Sequence, residues 1–252
     1  MNDKNNQPLD DALPWYYWLY QPYKWLLLMP LFIFFTLLFS TTSLISSLLI
    51  SQKAGAFSAC MWGRVICFIT PLKIFIRGKE NICKKHSYVI ISNHQSAYDI
   101  FLLSGFLPIN FRWIMKKELL KVPLLGFACK KAGFIFIDRK SPKAALKSII
   151  EVKKKLVNGA SVAVFPEGTR SQQKEMLPFK KGAFKFAFDL ELDILPVTIV
   201  NSYKIMRKGF FNVVPGKTGL IVHKSIPIKD YNNDMDKLMT ETRELLEIGQ
   251  NI

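Results

Sequence analysis

Residues 25–52 carry no charged side chain. Roughly 20 apolar residues suffice to cross the hydrocarbon core of a bilayer. The run is therefore long enough for a membrane helix, whereas ordinary helices average about 11–12 residues. Lys24 and Lys53 bracket it, and Pro30 is expected to kink it near its start. Trp15, Tyr16, Tyr17, Trp18, Tyr20, Tyr23 and Trp25 crowd its approach. Rings that are apolar on one side and polar on the other suit a water–lipid boundary. The late start, the length and the missing basic leader argue against a cleaved signal peptide. A second apolar stretch, 54–76, is interrupted by Arg64 and Lys73, charges that are costly at a bilayer centre. It reads as an interfacial helix or as the return leg of a hairpin dipping into one leaflet. Whether the first helix crosses or only embeds stays open. For a single span, Arg64, Lys73, Arg77, Lys79, Lys84 and Lys85 would place the following domain on the cytoplasmic face of a cell membrane.

The 252 residues include 35 Lys and Arg against 19 Asp and Glu, a net charge of +16. Such an excess selects for an anionic partner: nucleic acid, an anionic membrane lipid, an acidic carrier protein or a phosphorylated substrate. Zinc-finger spacing, an RNP-type aromatic motif and a basic helix leading into heptads are all missing, which argues against nucleic acid. Cys60, Cys67, Cys83 and Cys129 form no CxxC pair, and His86, His94 and His223 do not cluster. Neither a disulfide framework nor a metal site is expected.

From about Gly78 the pattern changes. Short β-branched runs over 88–92, 111–115, 134–137, 162–165, 194–200 and 219–223 read as strands. Helical stretches over 100–106, 118–132, 143–158, 182–189 and 235–248 separate or follow them. That alternation implies an α/β domain with a mixed, largely parallel central sheet flanked by helices. The expected organisation is a polar tail and membrane-embedded helix pair over 1–77, then an α/β domain over 78–252.

Four polar or punctuated blocks stand out. Asn93-His94-Gln95-Ser96-Ala97-Tyr98-Asp99 leaves the first strand of the α/β domain, at the carboxyl end where ligands gather in open α/β sheets. Five residues of regular helix turn through about 500°, leaving two side chains ~140° apart. His94 and Asp99 can meet only if His94 sits in the loop or the first turn, with Ser92 or Asn93 as a cap. So placed, Asp99 would fix one imidazole nitrogen and leave the other as a base; the bland alternative is a surface histidine near a capping aspartate. Phe165-Pro166-Glu167-Gly168-Thr169-Arg170-Ser171 offers a tight bend with hydroxyl and guanidinium donors, fit for a phosphate; the alternative is an internal Glu167–Arg170 ion pair. Gly133 to Arg139 ends a buried run on Asp138 and Arg139, the latter a second phosphate clamp or a mere strand-end charge. Ile194 to Ile199 is apolar with an internal Pro196, which suits an edge strand or a bulge. Lys116 is one more cation at a strand tip.

Together the blocks resemble the glycerolipid acyltransferase family. His94 to Asp99 is similar to its HxxxxD box, Gly133 to Arg139 to its second block, Phe165 to Arg170 to its FPEGTR block, and Leu195-Pro196-Val197 to its fourth, in the family's order. The stretch from Ser87 to Val200 is covered, and the bacterial 1-acyl-sn-glycerol-3-phosphate acyltransferase type is the nearest in pattern. The resemblance implies that His94 deprotonates the acceptor hydroxyl and Asp99 orients it. Arg139, Glu167, Gly168, Thr169 and Arg170 would bind the acceptor phosphate, helped by Lys116 or Lys117. The implied donor is acyl-CoA or an acyl carrier protein, the acceptor lysophosphatidic acid, and no cofactor or metal is required. Another acceptor, such as glycerol-3-phosphate or a lysophospholipid, remains open. So do a covalent route through Cys83 or Ser96 and a non-catalytic protein that binds anionic lipid.

Overall fold

The first surprise lies in which side of the long apolar helix faces the protein. In the computed structural model, which describes residues 15–137, 160–206 and 211–251, α1 (Tyr17–Tyr23) runs through one π-helical turn, Lys24–Leu28, into α2 (Met29–Leu49). The wide turn precedes Pro30, which has no N–H to give and whose ring crowds the carbonyl four residues back. The expected distortion is thus an inserted turn. After Ser51, whose Oγ accepts the Ala54 N–H at 3.2 Å, α3 (Gln52–Ile69) doubles back along α2. Several polar side chains of α2 point inward: Ser43 Oγ donates to the Gly55 carbonyl at 2.9 Å, and Trp62 Nε1 donates to Thr36 Oγ1 at 3.1 Å, while the exposed Thr41 and Thr42 hydroxyls donate back to the helix's own carbonyls. Ile33, Phe34, Leu37, Ile45, Leu48 and Leu49 point outward and are exposed. This reverses the polarity of a helix on a water-soluble protein.

The second apolar stretch divides. Its first part is α3; its last part is a strand, β1 (Leu72–Arg77). The expectation of an interfacial or returning helix over 54–76 is corrected in its last part, which is a strand, while α3 returns along α2. Leu72, Ile74, Ile76 and the intervening Phe75 are β-branched or large, and they pair in parallel with Gly216–Val222. The sheet therefore reaches back into the segment ahead of Gly78.

The remaining elements are β2 (Val89–Ser92), α4 (Tyr98–Phe106), β3 (Phe111–Lys116), α5 (Leu125–Lys131), β4 (Ile135–Ile137), β5 (Ser161–Val164), α6 (Lys181–Leu190), β6 (Ile194–Val200), the short α7 (Ser202–Ile205), β7 (Gly216–Val222) and α8 (Met235–Gln250). The helix expected over 118–132 is broken: a 3₁₀ turn, Lys117–Lys121, precedes α5. Pro123 removes a donor, and Leu124 takes a positive φ of 58°. The helix expected over 143–158, and Arg139, lie outside the described residues.

The described strands order as β1-β7-β6-β2-β5-β3-β4. Every neighbouring pair is parallel except β6–β7, so the mixed, largely parallel sheet is as expected. Alternation sorts the strand residues to two faces. Ile90, Ala163, Leu195, Val197 and Ile199 join the core beneath α3 and α4; Val89, Ile91, Val162 and Ile194 join Phe184 of α6 and Leu238 and Leu246 of α8.

Pro196 lies in an interior strand, between β7 and β2. It is accommodated by a bulge: Val197 pairs with Val222, but Ile194 bridges Ile226, one residue out of register. The Pro196 carbonyl still accepts the His223 N–H at 3.0 Å, and the missing proline donor faces the bulge.

The helix pair is fastened to the domain by a backbone-to-backbone approach. A Cβ built on Gly63 of α3 would lie 2.6 Å from the Phe101 carbonyl oxygen of α4, and Arg64 Nε donates to the Gly105 carbonyl at 2.7 Å. Gly63→Ala is expected to lower unfolding stability by about 1–3 kcal/mol through overpacking, read as a lower melting temperature in detergent. An unchanged melt would mean that α3 and α4 separate at no cost.

Candidate active site

Three adjacent parallel strands, β2, β5 and β3, end on one edge of the sheet and deliver three candidate groups there. His94 sits in the loop after β2, Glu167 to Arg170 in the turn after β5, and Lys116 is the last residue of β3.

The β2–α4 loop is arranged around a buried carboxylate. Asp99 is the second residue of α4 and has no exposed surface. Its Oδ2 lies 2.8 Å from His94 Nδ1 and accepts the N–H groups of Gln95 at 2.7 Å and Ser96 at 2.9 Å. A buried carboxylate is tolerated only when such donors converge on it. With two amides directed at the same oxygen, Asp99 acts as acceptor, so Nδ1 carries the imidazole proton and Nε2 keeps a lone pair. His94 precedes the helix, as the five-residue spacing requires. The cap differs from expectation: Ser96 Oγ accepts the Tyr98 N–H at 3.1 Å. Asn93 instead bonds both backbone groups of Ile199 in β6, at 2.9 and 2.8 Å.

The β5 turn holds His94 from the other side. Glu167 is buried; its Oε1 accepts the His94 N–H at 2.6 Å, and its Oε2 accepts the Leu177 N–H at 2.8 Å. Burial pushes its carboxyl above the usual range, opposed by these two amide bonds. Both oxygens are therefore committed to backbone. Glu167 ties two loops together, where the resemblance placed it against substrate and the bland alternative paired it with Arg170. Ser171 N–H donates to the His94 carbonyl at 2.9 Å, and the Phe165 ring stacks on the imidazole, with centroids 3.8 Å apart and planes 6° apart. Gly168 has φ +74°, which glycine adopts without a Cβ penalty. Thr169 and Arg170 are exposed, and Arg170 makes no ion pair among the described residues. The Lys116 ammonium lies 3.5 Å from Glu118 in an exposed pair.

His94, Lys116 and Gly168 open on one cavity of about 300 Å³. Away from them its wall is apolar, formed by Phe39 of α2, Trp62 of α3, Leu125 of α5 and Phe134. A base at the end of a greasy slot can take a proton from a polar group on a long-chain molecule while the slot holds the chain. No group of three or more His, Cys, Asp or Glu among the described residues is arranged for a metal ion. The sequence did not point to Phe165 as a ring stacked on His94, to Asn93 as a tie to β6, or to the α2 wall; each contact spans many residues, and no local pattern encodes it. Glu167→Ala would strand two amide donors. It is expected to cost about 1–3 kcal/mol, measured by thermal unfolding, and a melt equal to the parent's would contradict the clamp.

Comparison with known proteins gives the arrangement a context. The family model described as Acyltransferase matches residues 73–200. A Saccharomyces cerevisiae protein named 1-acyl-sn-glycerol-3-phosphate acyltransferase is 37% identical over 191 residues, 70% of this chain and 60% of that protein. The Mus musculus 1-acyl-sn-glycerol-3-phosphate acyltransferase alpha is 38% identical over 138 residues, 54% of this chain and 48% of its own. The chain thus spans about half to three-fifths of the length of the curated relatives it matches. The crystal structure of the 1-acyl-sn-glycerophosphate (LPA) acyltransferase from Thermotoga maritima superposes with a TM-score of 0.77 at 28% identity, covering 89% of this chain and 93% of that one. With half of its length matched by the family model and its fold shared with that structure, the chain belongs to the acyltransferase family.

Proposed function

We propose that this chain transfers a fatty acyl group from an acyl thioester to the 2-hydroxyl of 1-acyl-sn-glycerol-3-phosphate, giving phosphatidic acid. The observation that carries the reading is His94, held at Nδ1 by Asp99, with its ring at the end of an apolar cavity. Nε2 takes the proton of the acceptor hydroxyl as its oxygen attacks the thioester carbonyl. The tetrahedral intermediate expels the thiolate of CoA or of an acyl carrier protein, and the imidazolium returns the proton to that sulfur. A thioester is already activated, so neither a metal nor a protein nucleophile is needed.

Lys116, Thr169 and Arg170, with the Gly168 bend and Arg139, are assigned to the acceptor phosphate. Charge-assisted bonds from guanidinium and ammonium groups suit a dianion. Glu167 is assigned a positioning role, since its oxygens hold backbone. Residues ahead of β1 act as the membrane-embedded part, and the α/β domain as the catalytic part. The outward apolar face of α2 favours lipid as its surroundings. The continuous helical run from α1 through α2 also lies along the domain: Tyr17 Oη of α1 donates to Asn212 Oδ1 at 3.1 Å, and Phe39 and Ser43 of α2 line the cavity. A helix so attached along its length dips into one leaflet in preference to crossing. For a helix that does not cross, the basic residues that follow it favour the anionic leaflet on the cytoplasmic face of the membrane by direct attraction.

The test is acyl transfer by purified protein, with a panel of acyl-CoA and acyl-carrier donors and of acceptors. Turnover with lysophosphatidic acid well above glycerol-3-phosphate or a neutral lysophospholipid is expected; a reversed order assigns another acceptor, and no transfer at all favours a lipid-binding protein. Arg170→Ala should raise the acceptor KM about tenfold or more with little change in kcat. An unchanged acceptor KM would remove Arg170 from the phosphate site.

A further inference from the structure

A second apolar surface lies apart from the helix pair. Residues 116–131 join β3 to the end of α5, and three large apolar side chains on them face outward: Leu119 is 40% exposed, Val122 39% and Phe127 49%. Lys116, Lys117, Lys121, Lys130 and Lys131 surround them, against the single acid Glu118. All five lysines are exposed, and the Lys131 ammonium stands 5.5 Å from the centre of the Phe127 ring. Exposed apolar side chains inside a cationic collar match a bilayer surface: rings and aliphatic groups enter the headgroup boundary, and lysines reach anionic phosphates with their stems in apolar surroundings.

The placement of the segment supports the same partner. α5 packs against α2, and the two elements share the cavity, Leu119 and Leu125 on one wall and Phe39 and Ser43 on the other. Residues 116–131 therefore lie beside α2, the element with the outward apolar face. An acidic carrier protein would also meet the lysines, but it would not account for exposed Val122 and Phe127 on a segment that packs against α2.

We propose that residues 116–131 form a second membrane contact, seating Val122 and Phe127 in the headgroup region of an anionic leaflet so that the cavity opens directly onto lipid. The inference rests on the membrane reading given above and adds a contact outside the helix pair. It explains how a base on a sheet edge reaches a substrate that stays in the bilayer: the substrate moves sideways between α2 and α5 and need not leave the leaflet. Each lysine near an anionic surface strengthens attraction roughly fivefold, so the collar also orients the domain.

The experiment places an environment-sensitive fluorophore on Val122→Cys in a Cys83→Ser background, because Cys83 is exposed whereas Cys67 is buried and Cys60 and Cys129 are partly buried. The full-length protein is mixed with vesicles of phosphatidylcholine and phosphatidylglycerol in equal parts. A matched probe on Lys229→Cys reports the far side of the domain. A blue shift at position 122, quenched by lipids carrying a nitroxide near the headgroup, with no change at 229, is the expected result. Co-flotation with vesicles while the 122 probe stays water-like overturns the second contact and leaves the membrane reading intact. A chain that does not float overturns both. A 122 probe that shifts only on addition of an acidic carrier protein assigns the surface to that protein and overturns the proposal. As a second readout, Val122→Glu with Phe127→Glu should raise the apparent KM for vesicle-borne acceptor roughly tenfold, with turnover of detergent-dispersed acceptor unchanged. Equal losses in both assays would point to a general defect and count against the contact.

Discussion

A carboxylate with no exposed surface organises this molecule's chemistry. Asp99 is cut off from water, and its burial is offset by an imidazole N–H and two backbone amides that converge on Oδ2. That requirement fixes the loop from Gln95 to Ser96, which fixes where His94 stands. A second buried carboxylate, Glu167, fastens the next loop to the first through the His94 amide. Two buried acids thus hold one partly exposed imidazole. The imidazole is positioned by its proton partner, by its own backbone and by the Phe165 ring stacked on it.

The rest of the architecture places that imidazole at the end of an apolar cavity. β2, β5 and β3 are adjacent and parallel, so their carboxyl ends bring the base, the glycine bend and a lysine to one edge. The helix pair closes the cavity from above, and its reversed polarity does two tasks. Thr36, Ser40 and Ser43 turn toward the protein, with Thr36 and Ser43 taking part in hydrogen bonds to α3; the outward face is left apolar for lipid. One helix therefore carries both the outward apolar face and part of the cavity wall.

Much of this was legible in the sequence, for identifiable reasons. Local alternation located the strands 111–115 and 194–200 closely, since each is a short β-branched or aromatic run between breaks. The five-residue spacing alone placed His94 ahead of its helix. What escaped depends on distant partners. Leu72–Arg77 looked like the end of an apolar helix because its pairing strand is Gly216–Val222, far along the chain. Pro196 read equally well as an edge or a bulge until Ile226 showed the register slip. Glu167 carried a family role against substrate, while its geometry commits both oxygens to the backbone of Leu177 and His94. The family resemblance suggested the proposed reaction; the contacts around His94 show how its ring is held.

The central claim is that His94 is the base. It is tested most directly by single-turnover transfer from a labelled acyl thioester to lysophosphatidic acid in His94→Ala, with the variant's melting temperature and vesicle flotation measured alongside. The account predicts a rate lower by about 10²–10⁴-fold in a protein that still folds and still floats with vesicles. Transfer within a few-fold of the parent rate would contradict it.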